Sequence, residues 1–235
     1  MTQHTVPVTR PAARRPPGDR DGSSWHLPVA LVALVLIPVV AGSLRLLELA
    51  GGPQLLPTNP RIDSSPAPVV VHVLAAALYA FLGAFQFSAR LRRRHPGWHR
   101  RSGRILIVAG LIVAASGTWM TLFYPDAPGG DLLWGIRLLV GSAMAASIVL
   151  GFTAIRRRHI AGHRAWMIRA YALAVSAGTQ AFTQPIGETL FGTSDLSTAL
   201  SVGAGWIINA AAAEWVIRRP PGRWARHHRT PTPSV

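Results

Sequence analysis

The sequence contains no cysteine and no lysine, and only nine of its 235 residues are acidic. The first absence excludes a disulfide framework and a thiolate metal site. The second makes every basic side chain an arginine, whose guanidinium stays charged at any physiological pH. No nucleophile triad, phosphate-binding glycine-rich loop or His-Glu-x-x-His zinc motif is present. Hydrolase and nucleoside-triphosphatase chemistry therefore has no residues to rest on, and the balance leans away from an enzyme. Regular alternation of polar and apolar residues is also missing, which excludes the strands of a membrane barrel.

What the chain has is apolar sequence in long blocks, at 27–47, 68–89, 104–124, 132–155, 165–184 and 198–217. Each approaches the roughly 20 residues that a helix needs to cross the hydrocarbon of a bilayer. In lipid such blocks must be helical, because no water is present to satisfy the backbone. The expected fold is all-α: an integral membrane bundle of six transmembrane helices filling one domain, 26–218. The flanking segments 1–25 and 219–235 are rich in Pro and Arg and have little to bury, so disordered tails are expected there.

A formal net charge of +15 raises the question of nucleic acid. The arginines argue against it, because they gather in short segments between apolar blocks and do not spread over a face with aromatics to stack on bases. They set membrane orientation instead, since positively charged segments resist translocation. Arg10, Arg14, Arg15 and Arg20 precede the first block; seven arginines lie in 90–104 and five in 156–169; Arg218, Arg219, Arg223, Arg226 and Arg229 follow the last. The alternate loops carry Glu48, Asp63, Asp126, Asp131, Glu188 and Asp195, with Arg45, Arg61 and Arg137 at their edges. Six spans put every basic segment on one side, so an inner-membrane protein with both termini in the cytoplasm is expected. The fifth block is the least apolar, holding Arg169, Gln180 and Gln184, and it is kept because five spans would break that alternation. The first block could be a secretory signal, with Ala41-Gly42-Ser43 as a cleavage site, but its length and its continuation into Arg45 and Glu48 favour an uncleaved helix.

Two stretches match each other. Arg92-Arg93-Arg94-His95 precedes His99-Arg100, and Arg156-Arg157-Arg158-His159 precedes His163-Arg164. Each joins an inward-running span to an outward-running one, which suggests a parallel repeat of helices 2–3 and 4–5.

Polar residues inside a span are costly and face a bundle interior or a cavity. His72, Tyr79 and Gln86 recur every seven residues and so share one face of the second span. They can serve as hydrogen-bonding glue between helices or line a path. Arg169, Ser176, Gln180 and Gln184 share a sector of the fifth span, and Asn209 and Glu214 lie in the last, so an Arg169–Glu214 ion pair is expected. His99 and His163, with Arg100 and Arg164 beside them, sit in a field of arginine that repels divalent cations and suits an anion: lipid head groups, a phosphate or the propionates of a haem. A haem b held by His72, His99 or His163 is the concrete cofactor alternative.

These motifs carry a family likeness. His72 opening a helix, then Gly83-x-x-Gln86-Phe87, Arg90, His99-Arg100-x-x-Gly103-Arg104 and His163-Arg164-x-Trp166-Met167-x-Arg169 resemble the bacterial domain-of-unknown-function 2306 family of multi-pass membrane proteins. The likeness covers roughly residues 68–185. Where that family often has an aromatic after Gly-Arg, this chain has Ile105-Leu106. The resemblance implies a membrane location and a shared site at His72, Gln86, His99, Arg100, Arg104, His163, Arg164 and Arg169, and it supplies no activity. Three functions stay open: a haem- or quinone-linked electron carrier, a small transporter or channel along the His72–Tyr79–Gln86 seam, and a lipid- or partner-binding subunit. The bilayer and anionic head groups on its cytoplasmic face are the expected partners; nucleic acid is not.

Overall fold

The computed structural model describes residues 25–126 and 128–219, apart from the side chain of Asp63. The tails expected to be disordered, 1–25 and 219–235, lie outside the described residues except at Trp25 and Arg219. All regular structure among the described residues is helical: α1 (His26–Leu49), α2 (Pro60–Asp63), α3 (Ala67–Gln86), α4 (Ala89–Arg94), α5 (Pro96–Phe123), α6 (Gly130–Arg156), α7 (Ile160–Ala174), α8 (Ser176–Phe191) and α9 (Asp195–Arg218). Five of these, α1, α3, α5, α6 and α9, are long and apolar enough to cross a membrane. Large apolar side chains such as Val29, Leu78, Val108, Leu139 and Ile207 stay exposed along them. Water tolerates no such belt on a monomer, and lipid does.

The block 165–184 is the exception. It is divided between α7 and α8, joined at Val175. There the Ser176 hydroxyl turns back to donate to the Ala172 carbonyl at 2.8 Å, and the Gly178 N–H donates to Val175 three residues earlier at 3.0 Å. Such back-bonding and tightened turns bend helices. Gly178 also presses α8 against the Leu34 carbonyl of α1, leaving no room for a side chain. Together α7 and α8 run the length of α6. His163 near the start of α7 bonds to Gly151 near the end of α6, and Asp195, just past α8, accepts from the Gly129 N–H at the start of α6.

Local signals fix several helix starts. Ser88 caps α4 by accepting from the Leu91 N–H at 3.3 Å, Ser194 caps α9 in the same way through Ser197 at 3.2 Å, and Pro96 opens α5 where no N–H is needed. Gly129 adopts φ 92°, a left-handed turn that lets its N–H reach Asp195.

Neighbouring helices form a closed ring, α1–α3–α5–α6–α9–α8, and α7 fills its centre at the arginine-rich end, touching α3, α5, α6 and α9. Lipid is as apolar as leucine, so close packing and hydrogen bonds hold such contacts together in place of the hydrophobic effect. Tyr79 and Tyr171 are the hub, with ring centroids 5.9 Å apart. Tyr171 lies on Gly83, where a Cβ would come within 2.5 Å of its ring, and Tyr79 lies on Gly110, where a Cβ would come within 2.6 Å. The Tyr171 hydroxyl donates to the Ala80 carbonyl at 2.7 Å.

The two matched arginine stretches resemble each other locally. His95 and His159 are the cap residues of α5 and α7, and the N–H groups of His99 and His163 donate back to them at 3.2 and 3.0 Å. Beyond these turns the copies part, since α5 runs unbroken to Phe123 and α7 ends at Ala174.

Candidate functional site

Two polar seams and one cationic end stand out. On α3, His72, Tyr79 and Gln86 all meet α5. His72 Nδ1 lies 2.9 Å from Ser116 Oγ, and Gln86 Nε2 donates to Ser102 Oγ at 2.6 Å. Tyr79 packs between them on Gly110. The serines donate onward to their own helix, Ser116 to Ile112 and Ser102 to Trp98, each at 2.6 Å. The seam thus joins two antiparallel helices in register, with His72 and Gln86 hydrogen-bonded across it.

The second seam joins α7 and α8 to α9. Arg169 Nε and Nη2 donate to the two Glu214 oxygens at 2.6 and 3.2 Å, so the expected ion pair forms. The Arg169 guanidinium also lies 4.6 Å from the Trp166 ring. Asn209 Nδ2 donates to Ser176 Oγ at 3.1 Å and Thr179 Oγ1 at 2.8 Å, bracing the break at Val175. Gln180 donates to the Val202 carbonyl at 3.1 Å, and Gln184 to Glu188 at 3.0 Å.

At the arginine-rich end, α5 and α7 bring His99 and His163 close enough for the charge of one to bear on the other, and the Arg92 charge bears on His99 as well. About 42 Å of α5 exceeds a hydrocarbon core of about 30 Å, so its first turns, with His99, Arg100 and Arg101, can stand clear of the lipid. His163 Nδ1 lies 2.9 Å from the Gly151 carbonyl. A carbonyl only accepts, so Nδ1 carries the proton and the lone pair of neutral His163 is at Nε2. His99 Nδ1 is buried and has no hydrogen-bond partner among the described residues. Arg100, Arg104 and Arg164 are exposed. None of the arginines from Arg90 to Arg104 or from Arg156 to Arg164 pairs with a carboxylate among the described residues.

A family model described as a predicted membrane protein, DUF2306, matches residues 69–217. The chain belongs to this family. As a member it is a multi-pass membrane protein, and the family description names no activity. No curated protein and no solved structure matches the chain.

Four partners escaped the sequence reading: Ser102, Ser116, Tyr171 and Thr179. A signal for the serines was present. Ser102 and Ser116 are spaced by fourteen residues, as His72 and Gln86 are, with small Ala109 and Gly110 midway to face Tyr79. Matched heptads on consecutive antiparallel helices predict such pairing.

Proposed function

We propose that this member of the family is a six-span inner-membrane protein, with both termini cytoplasmic, whose cytoplasmic end binds a phosphate-bearing ligand, the head group of an anionic lipid. The reading rests on one observation: two arginine-led helix starts converge on His99 and His163, and among the described residues no carboxylate pairs with their arginines. Glu214, the acidic residue at that end among the described residues, is already engaged by Arg169 and Arg218. Arginine offers a fork of donors that matches phosphate oxygens, and each basic residue near an anionic leaflet contributes about 1 kcal/mol. Arg100 and Arg164 are the exposed donors; His99 and His163 line the approach.

Native mass spectrometry of the full chain, with phosphatidylglycerol and phosphatidylcholine offered together, tests this. Wild type should retain phosphatidylglycerol selectively, and R100Q/R164Q should lose that selectivity, as should wild type in high salt. Equal retention of both lipids by wild type would overturn the reading.

His163 favours a second reading, a haem- or quinone-linked electron carrier. Its Nδ1 is fixed by a backbone carbonyl and its Nε2 is left as the ligand atom, the arrangement common among ligating histidines. An ultraviolet–visible spectrum of the detergent-purified protein, before and after dithionite, decides it. A Soret band lost in His163→Ala would support a haem; a colourless, folded protein would discard it. A path along His72, Tyr79 and Gln86 has less support, because those side chains are paired or packed across the α3–α5 seam.

A further inference from the structure

A groove flanks the Arg169–Glu214 pair where α9 ends. Ala211, Glu214, Trp215, Arg218 and Arg219 line it. Its volume is about 540 Å³, within the roughly 300–1,000 Å³ of small-molecule sites. Leu200, Ile207, Ala211 and Trp215 lead into it and are exposed. At 3.6 residues per turn they share one face of α9 with Arg218. A face so apolar over this length lies against lipid chains. Indole rings gather at the depth of lipid head groups, and Trp215 is where this face gives way to charge.

Each charged group in the groove is held by a neighbour. Arg169 donates to both Glu214 oxygens at 2.6 and 3.2 Å and so fixes the carboxylate. Arg218 Nε lies 3.5 Å from Glu214 Oε2. The Arg219 guanidinium lies over the Trp215 ring, 3.2 Å from its centroid. A guanidinium lying on a ring keeps its N–H donors at its edge, where they can reach a phosphate. Glu214 is a third exposed, and a carboxylate offers about four lone-pair positions. It can therefore accept another donor beside Arg169 and Arg218.

We infer that this groove binds a phosphatidylethanolamine molecule. Its phosphate sits between Arg218 and Arg219, its ammonium donates to Glu214, and its chains follow the exposed face of α9. Charges of both signs side by side match a head group that carries both. A choline head group fits less well, because it has no N–H to donate to Glu214. The Trp215 face that would attract its methyls is covered by Arg219. A second anionic group would be repelled by the carboxylate. The site does not rest on the reading given for Arg100 and Arg164.

Native mass spectrometry of the full chain tests this, with phosphatidylethanolamine and phosphatidylcholine of identical chains offered together. Both lipids are zwitterionic, so general attraction to the arginines cancels. Wild type should prefer phosphatidylethanolamine about tenfold, as one charge-assisted hydrogen bond allows. R100Q/R164Q should keep that preference. Glu214→Gln should lose most of it, and R218Q/R219Q should retain less of both lipids, since both carry the phosphate. Should Glu214→Gln fail to fold, a wild-type series carries the test: retention should fall stepwise through the mono- and dimethylated head groups as N–H donors disappear. Equal retention across that series would overturn the site, as would an unchanged preference in Glu214→Gln. A lower Tm in R218Q/R219Q with unchanged lipid retention would also overturn it, because those arginines would then serve only the helix end.

Discussion

Arg169 on α7 and Glu214 on α9 meet through two parallel contacts, 2.6 and 3.2 Å long, at the arginine-rich end of the bundle. Arg218 approaches the same carboxylate at 3.5 Å. Both members of the closer pair are about a third exposed, 31% and 34%, so solvent screens part of their attraction. The Arg169–Glu214 coupling should therefore be modest, about 1 kcal/mol in a double-mutant cycle of Arg169→Gln and Glu214→Gln followed by thermal melting. Each single variant should lower Tm, and the double variant should cost less than the sum of the two. A strictly additive double variant would mean that the pair adds nothing to stability.

The contact of Tyr171 with Gly83 should be far less forgiving. A Cβ at Gly83 would lie 2.5 Å from the Tyr171 ring, which is itself buried in the core. Gly83→Val should cost about 1–3 kcal/mol through overpacking, and pairing it with Tyr171→Ala should recover part of the loss. Tyr171→Phe keeps the ring and removes only the bond to the Ala80 carbonyl, so it should cost about 1 kcal/mol. Comparable losses for Gly83→Val and for Val at an exposed lipid-facing position would contradict this placement of α7.

Much of this was legible from residue type and spacing. Hydropathy found the long helices, because a span must be apolar over its whole length whatever its neighbours. The Arg169–Glu214 pair was legible because two opposite charges near the same end of adjacent spans have few other partners. The shared face of His72, Tyr79 and Gln86 followed from their heptad spacing, although its partners on α5 did not. The break at Val175 was not legible. It depends on Gly178 meeting the Leu34 carbonyl and on Asn209 reaching Ser176 and Thr179, contacts that exist only once α8 lies between α1 and α9. Gln180 and Gln184 share a helix sector, yet one bonds to α9 and the other to its own helix. Helical periodicity says which way a side chain points, and the neighbouring helix decides what it meets.

The α3–α5 seam gives a prediction that separates glue from a transport path. Interhelical hydrogen bonds inside a membrane contribute about 0.6 kcal/mol on average. Cycles of His72→Ala with Ser116→Ala, and of Gln86→Leu with Ser102→Ala, should each return a coupling of about that size. Cross-cycles that mix the two pairs should return none, because His72 and Gln86 are about 21 Å apart along the helix axis at 1.5 Å per residue. Strong coupling between His72→Ala and Gln86→Leu would instead indicate a continuous network along α3.

Whether α7 and α8 cross the membrane together can be tested directly, because the chain has no native cysteine and each introduced thiol reports alone. Gly97, Ala161, Pro128 and Thr193 are exposed, and a Cβ at Gly97 would meet no other atom within 4 Å. With six spans and arginine-rich segments inside, a membrane-impermeant maleimide added to intact cells should label Pro128→Cys and Thr193→Cys. Gly97→Cys and Ala161→Cys should react only after permeabilisation. The decisive residue is Thr193, which follows α8 and precedes α9. If Thr193→Cys is protected together with Ala161→Cys, then α7 and α8 do not cross. The basic segments on either side of that pair could then no longer share one face of the membrane, and the orientation argument from arginine would fail at this pair alone. Labelling of Thr193→Cys from outside would make the bent pair a sixth span, held across the bilayer by Asn209 and Gln180 despite its weak hydropathy.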